Sequence, residues 1–304
     1  MKTFYIAPLL LALSIGQALA STPINLSKDI RPNAKISIDN AKGDVTVTAW
    51  DRNQIQVTGM LGNGARPLEL DGDANSIDIR IEGGGSGDGK KWFSWGNDAA
   101  MQSTTLNVRV PKGVSVEVKV VSAPVSIDGL DGGKVEVESV SGRVRANVRS
   151  PDVQMQTVSG TIDLAGRADK ADLQTVSGDI TAPSVISKVD AQTVSGRMTI
   201  GGGPWSSANF STVSGDTLIN GGPAAAGKIT VDAMSGDVQL QLPNNASTKL
   251  EASTFSGDIR TDWGNPSRND DGPGKELKVT IGDGRGLVHL ESFSGDVKVR
   301  KAGN

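Results

Sequence analysis

A tripeptide made of one apolar residue followed by Ser-Gly recurs eight times between residues 140 and 295. Its serines are Ser141, Ser159, Ser177, Ser195, Ser214, Ser235, Ser256 and Ser294, at intervals of 18, 18, 18, 19, 21, 21 and 38 residues. A nearly constant period of this length is typical of a solenoid, in which each repeat buries its apolar face only by stacking on its neighbours. The repeat therefore constrains the architecture more strongly than it constrains any chemistry.

Each repeat is predicted to contain two short strands joined at Ser-Gly. The residues four and six positions before each serine are apolar, and so are most residues two and four positions after each glycine; apolar side chains at every second position follow the strand period. We interpret the apolar residue directly before Ser-Gly as a break in this alternation, which keeps that side chain inside at a corner, while the glycine lets neighbouring coils approach.

The predicted fold is all-β, a single-stranded parallel β-solenoid of about nine or more coils of 18–21 residues. An antiparallel β-sandwich also has strands every 8–12 residues, but it does not explain a corner that returns at the full period. Val121-Ser122-Ala123 resembles a degenerate copy of the corner tripeptide, so residues 121–304 are predicted to form the regular repeats. Residues 21–120 alternate like strands without the period and are predicted as a β-rich N-terminal cap. The long interval from Ser256 to Ser294 is predicted as a degenerate coil carrying an exposed loop.

The first 20 residues predict a secretory signal peptide, with Lys2 before a short apolar run and cleavage after Ala20. Residues 21–304 are then expected to form one domain without a membrane span, exported to the periplasm, with the cell surface or the extracellular space as alternatives. The chain has no cysteine, which excludes disulfides, and its net charge of −3 gives no electrostatic case for binding nucleic acid.

Three kinds of segment carry a family resemblance: the segment Gly43–Asp51, the strand Leu106–Gly113, and the repeated Val-Ser-Gly-Asp-Ile or Val-Ser-Gly-Arg-Val corners. They resemble the bacterial putative-adhesin β-solenoid family, a domain of unknown function found in exported proteins, over about residues 34–300. The resemblance implies a single β-solenoid domain and no established catalytic residues.

The sequence offers few groups for catalysis. His289 is the single histidine and there is no cysteine, which argues against a zinc site or a Ser-His-Asp triad; no catalytic residue, cofactor or metal set is predicted. A column of aspartates follows the repeated glycines, at Asp179, Asp216, Asp237, Asp258 and Asp296. These side chains are expected to cap turn amides; the alternative is weak cation binding on the stretch Asp216, Asp237 and Asp258, because stacked carboxylates repel one another unless bridged.

Five aromatic residues lie in or beside loops rich in Gly and Pro: Trp92, Phe93, Trp95, Trp205 and Trp263. They are predicted either to form a surface that stacks on sugars or contacts a protein, or to fold back onto the body. The leading hypothesis is an exported, non-enzymatic, adhesin-like or scaffold protein with a protein or glycan partner in the cell envelope. Its rival is a β-helix protein that binds or cleaves polysaccharide with surface carboxylates, and a third possibility is a structural accessory protein of the envelope.

Overall fold

The computed structural model describes residues 22–81, 102–268 and 273–303, and these ranges contain strands and no helix. The first twelve strands are β1 Thr22–Asp29, β2 Lys35–Trp50, β3 Gln54–Leu61, β4 Asp71–Gly72, β5 Ser76–Arg80, β6 Thr104–Pro111, β7 Ser115–Ser122, β8 Val125–Asp131, β9 Val135–Ser141, β10 Val144–Ser150, β11 Val153–Ser159 and β12 Ile162–Ser177. The other twelve are β13 Ile180–Ser195, β14 Met198–Gly202, β15 Trp205–Ser214, β16 Thr217–Asn220, β17 Pro223–Ser235, β18 Val238–Leu242, β19 Thr248–Ser256, β20 Ile259–Thr261, β21 Ser267–Arg268, β22 Lys275–Ile281, β23 Gly286–Ser294 and β24 Val297–Lys301.

In the middle of the chain, each strand pairs in parallel with the strand one repeat further on. Val135 of β9 lies opposite Val153 of β11, and Val153 lies opposite Ala171 in the second half of β12. The same register continues from Ala171 to Val189 of β13. Residues one period apart therefore form columns along the stack, as the repeat predicted, and the solenoid-like arrangement follows from this register.

The alternating side chains place one narrow core inside the stack. Val137, Met155 and Leu173 are fully buried and occupy equivalent positions in successive turns. The residues between them, including Gln156 and Gln174, face outward. A continuous column of aliphatic side chains thus runs along the inside, as burial of apolar surface requires in a chain whose repeats cannot fold alone.

The N-terminal region does more than cap the stack. β2 pairs in parallel with β7 and β8 on one side and with β5 and β6 on the other. In this register Lys42 lies opposite Ser122, so the corner pattern is already present near residue 42. The regular stack consequently starts before the predicted boundary at residue 121. At this end β1 and β3 are joined to each other and to β6 by antiparallel pairing, and β4 pairs antiparallel with β5, so the sheet is mixed and not purely parallel.

The C-terminal region departs from the sequence order. β17 pairs with β23, and β23 pairs on its other side with β19. The interval between Ser256 and Ser294 is therefore not one degenerate coil in sequence order, because β23 and β24 are inserted between two coils that precede them in the chain. β22 runs antiparallel along β19 and covers its outer edge. This pairing protects the edge, because an open sheet edge can pair with other chains.

Candidate functional site

The apolar residue before each Ser-Gly points outward, which corrects the prediction that it stays inside the corner. Val158 is 51% exposed and Phe293 is 53% exposed. The alternation is not broken at the corner, because the inward position belongs to the residue before, such as Thr175 or Thr193, both of which are buried. Their hydroxyls donate hydrogen bonds to the carbonyls of Gly160 and Gly178, at 3.4 and 3.5 Å. The equivalent hydroxyls of Thr157, Thr212 and Ser292 have no hydrogen-bond partner, so small size is the property that these inward corner positions share.

These outward residues form one continuous line, which we call the apolar stripe. Its members in stacking order are Val121, Val140, Val158, Val176, Val194, Val213, Met234, Phe293 and Phe255. The register of the adjacent serines fixes this order: Ser177 lies opposite Ser195, and Ser294 lies between Ser235 and Ser256. Phe293 therefore precedes Phe255 along the stripe although it follows it in the sequence.

A groove of about 620 Å³ runs beside the first half of the apolar stripe. Its apolar wall consists of Ala41, Val121, Val140, Val158, Val176 and Val194. Its polar wall contains Gln156, Gln174 and Gln192, with Lys119 and Glu138 nearer the N-terminal end. The lining also includes the carboxylates of Asp39 and Glu138, so the groove combines a valine wall with amide and charged groups that can hydrogen-bond to a ligand.

The second half of the apolar stripe is bulkier. The rings of Phe255 and Phe293 stack in parallel with their centroids 4.8 Å apart and their planes 5° from parallel. Both rings remain about half exposed. Met234 continues this surface on the neighbouring coil, so aromatic and thioether groups that favour contact with a partner lie together at the C-terminal end.

The described tryptophans do not form the predicted surface. Trp205 is completely buried, and its indole N–H donates a hydrogen bond to the carbonyl of Val185 at 2.8 Å. This position removes Trp205 from the surface and corrects its predicted binding role in favour of folding back onto the body. Trp263 is half-buried against the core, with the Lys301 ammonium 5.6 Å from its ring. Trp92, Phe93 and Trp95 lie outside the described residues.

The aspartate column is a ladder of turn contacts. Asp216, Asp237 and Asp296 each accept a hydrogen bond from the backbone N–H of the next aspartate along the stack, at 3.1, 3.0 and 2.9 Å. Asp296 lies between Asp237 and Asp258, so the three residues predicted as a cation stretch are not consecutive. The contacts support the capping interpretation of these side chains.

Cations of the chain itself also reach this column. A hydrogen bond of 2.7 Å from Lys298, assisted by the backbone N–H of Asp296, lowers the pKa of the Asp237 carboxyl. Lys275 bonds to Asp258 and likewise lowers the pKa of its carboxyl. Repulsion between the stacked carboxylates is thus offset by protein donors, and among the described residues no group of three or more acidic, His or Cys side chains is arranged to hold a metal ion.

His289 lies on the outer face of β23. Its ring nitrogens are 3.7 Å from Glu251 and 3.8 Å from Glu291, and its side chain is 38% exposed. These neighbours place His289 in a surface cluster with two carboxylates. Within the part of the chain that the structure describes, no helix has the length and apolar composition needed to cross a bilayer.

Residues 33–300 match the family described as Toastrack DUF4097. The chain belongs to this family. No curated protein matches this Toastrack chain. Among solved structures, it is similar to an adhesin, described as putative, from Bacteroides fragilis NCTC 9343, with 15% identity, a TM-score of 0.46, and coverage of 91% of this chain and 97% of the other.

Two further structures are similar to the Toastrack chain over nearly its whole length. One is a putative adhesin from Parabacteroides merdae ATCC 43184, with 13% identity and a TM-score of 0.40, covering 93% of this chain and 97% of that one. The other is a putative lipid binding protein from Parabacteroides distasonis ATCC 8503, with 13% identity and a TM-score of 0.33, covering 93% and 95%.

The apolar stripe is the feature of this Toastrack chain that the sequence reasoning missed. The signal was present, because outward Gln156 and outward Val158 are two residues apart, as strand alternation requires. The sequence-based prediction placed these valines inside the corner, against the two-residue alternation of the strand. Counting the alternation through the corner places the buried position at Thr157 and exposes the whole column of valines.

Proposed function

We propose that the protein is an exported, non-enzymatic, adhesin-like binding protein of the cell envelope, which holds its partner on the apolar stripe and the adjoining groove. The observation that carries this proposal is the continuous exposure of nine apolar side chains on one line. Half-exposed aromatic and valine side chains of this number present on the order of 700 Å² of apolar surface, more than the largest patch of about 300–600 Å² on a typical monomer. A surface of this kind is characteristic of a binding site.

Export is supported by the N-terminal sequence. The charged residue Lys2, the apolar run that follows it and the small residues up to Ala20 match a secretory signal. We propose the periplasm as the compartment, with residues 21–304 acting as one domain and a protein or glycan of the envelope as the partner. The cell surface is the alternative location for the same binding role.

A binding role agrees with the state of the ionisable groups. The described carboxylates with lowered pKa values, including Asp237 and Glu117, accept hydrogen bonds from lysine or backbone donors. A catalytic acid would instead need a pKa raised toward the working pH. The groove wall of valine and glutamine residues adds contact area and hydrogen bonds, which are the requirements of recognition.

The test measures binding of purified envelope fractions to the immobilised protein by interferometry. The variant Val158→Thr/Val176→Thr/Val194→Thr keeps side-chain shape and strand propensity while making the stripe polar. We expect it to reduce the apparent affinity about tenfold or more, because each valine loses apolar burial in the complex. Protease treatment and periodate treatment of the fractions distinguish a protein partner from a glycan partner.

The matched control is Asn147→Lys, at an exposed position on the next face of the same body. It should bind as the wild type does. Equal binding by the wild type and the triple variant, with unchanged melting temperatures, would show that the apolar stripe is not the binding surface.

A further inference from the structure

Side-chain size increases along the apolar stripe from one end to the other. At the N-terminal end, Ala41 occupies the place beside Val121, because its neighbours Asn40 and Lys42 lie opposite Val120 and Ser122. Six valines follow, and Met234, Phe293 and Phe255 complete the line. With Ala41 included, the line has ten levels, one for each coil that contributes a corner. The surface is thus recessed at one end and raised at the other.

The groove lies at the recessed end. Its apolar wall extends from Ala41 to Val194 and includes neither Met234 nor the two phenylalanines. The raised end, in contrast, presents the stacked rings of Phe255 and Phe293 to solvent. One molecule therefore carries both a cavity of about 620 Å³ and the bulky group that such a cavity can receive.

The repeat spacing restricts what can cover the whole line. Neighbouring levels are about 4.8 Å apart, the distance between adjacent strands. A partner that fits side chain against side chain over ten levels must have the same spacing, and a second copy of this chain has it. The exposed area, on the order of 700 Å², is close to the roughly 800 Å² that each partner buries in a stable interface of standard size.

We propose that two copies of the chain pack face to face through the apolar stripe, about a two-fold axis that runs along the strand direction, so that the two stripes point in opposite ways. This inference rests on the proposed function in taking the stripe as a binding surface. In this arrangement each level of one copy faces the level counted from the other end of its partner. The phenylalanines of each copy enter the recessed end of the other, as the self-complementarity of a two-fold interface demands.

The centre of the apolar stripe itself is uncharged. Val176 of one copy faces Val194 of the other, because these two residues occupy the fifth and sixth of the ten levels. Beside them Gln174 faces Gln192, and each amide nitrogen also donates to an aspartate of its own chain, so one N–H and the amide oxygen of each remain for the partner. By the same count Glu138, at the third level, faces Asp232, at the eighth, and this like-charge pair opposes the association. A lysine of the same chain, 3.7 Å from Glu138, offsets part of the repulsion.

The first test is sedimentation of the purified chain over a range of concentrations. We expect a monomer–dimer equilibrium for the wild type. Val176→Lys and Val194→Glu, each alone, should weaken dimerisation at least about 100-fold, because each places an unpaired charge at the centre. An equimolar mixture of the two variants should recover a heterodimer, since Lys at 176 then faces Glu at 194. Asn147→Lys on the next face should dimerise like the wild type.

The second test determines the direction of packing. The chain has no cysteine, so a single spin label can be attached through Ser177→Cys beside the centre or Ser256→Cys beside the raised end. Opposed stripes place the two labels at position 177 within about 20 Å of each other and those at position 256 about 40 Å apart, from the strand and sheet spacings. Short distances at both positions would overturn the opposed arrangement.

The outcomes separate this inference from the proposed function. A wild-type chain that stays monomeric throughout, including one that carries a bound lipid in native mass spectrometry, would overturn the dimer. If such a monomer still loses envelope binding when the three valines become threonine, the proposed function stands and only the dimer fails. If the dimer forms as described while envelope binding is unaffected by those threonines, the proposed function fails and the dimer stands.

Discussion

The middle of the stack and its C-terminal end are stabilised in different ways. In the middle, coils such as β11 and β12 are in sequence order, and their corners approach so closely that only backbone fits between them. At the C-terminal end, β23 separates β17 from β19, and the coils are joined by stacked phenylalanines, an aspartate ladder and an antiparallel strand. The corner glycines approach backbone equally closely in both regions, as Gly178 and Gly295 show, so the regions differ in their stacking order and in the side-chain contacts added at the end.

The largest effect is expected from Gly178→Ala in the middle. Gly178 has φ of +149°, and a Cβ there would lie 2.0 Å from the carbonyl oxygen of Gly160. Because the obstacle is backbone, we expect a loss of about 3 kcal/mol or more in the free energy of unfolding, measured by urea denaturation. Gly303→Ala is the control, since Gly303 also has positive φ, +92°, but nothing lies within 4 Å; it should cost about 1 kcal/mol. Equal losses would show that the close approach of backbone at the corner does not determine the cost.

A smaller effect is expected from Leu277→Ala at the C-terminal end. Leu277 is buried where β22 covers β19, and its truncation should cost about 2 kcal/mol, at the low end for buried leucine because this edge can relax. Hydrogen exchange should increase in β19 and β22 and stay unchanged in the middle. Leu173→Ala, in the core of the middle, should instead increase exchange on both sides of the substitution. Uniform exchange changes in both variants would contradict independent stability of the end.

The smallest effect concerns acid. The pKa of the Asp237 carboxyl is lowered in the folded protein by Lys298, so its contribution is present above the ordinary value of about 3.9 and is lost as the pH falls through the lowered value. Lys298→Met should cost less than about 1 kcal/mol at pH 7, given the exposure of the pair. The difference from the wild type should shrink below about pH 4.

The control for the acid experiment is Gln156→Met in the uncharged middle. Its difference from the wild type, measured by urea denaturation, should be the same at pH 7 and below pH 4. A Lys298→Met difference that persists undiminished in acid would mean that Lys298 stabilises the end through packing and not through its charge.

The sequence was sufficient for the parts of the fold that depend on neighbouring repeats. The period places Ser159 opposite Ser177, and the family resemblance is confirmed. It was not sufficient for stacking order at the ends, because the position of β23 depends on which edge the chain must cover and not on any local pattern. Trp205 was misplaced for a similar reason. Its Gly and Pro neighbours indicate a loop, yet the carbonyl of Val185, far along the chain, satisfies the indole and allows burial.

The candidate site was harder to predict because its signal was ambiguous between two faces. A column of valines can lie in the core or on the surface of the sheet. A shift of one residue along the strand decides which face these side chains occupy. The aspartate column was expected to cap turn amides, and its carboxylates do accept hydrogen bonds from backbone N–H groups, but from those of the next coil and not of their own turn. The order of its members was not predicted, because Asp296 enters between Asp237 and Asp258 with the inserted strand.

The insertion of β23 and β24 has a consequence for how the chain matures. Until β23 and β24 have been synthesised, β19 and β20 have no coil beneath them, and the coil of β17 and β18 has one open side. The turns formed by β17 and β18 and by β19 and β20 therefore stay incomplete until β23 and β24 have folded. The end of the stack cannot be completed by adding repeats in sequence order. A chain that lacks β23 and β24 would lose one turn of sequence but leave two surfaces uncovered, one on β17 and β18 and one on β19 and β20.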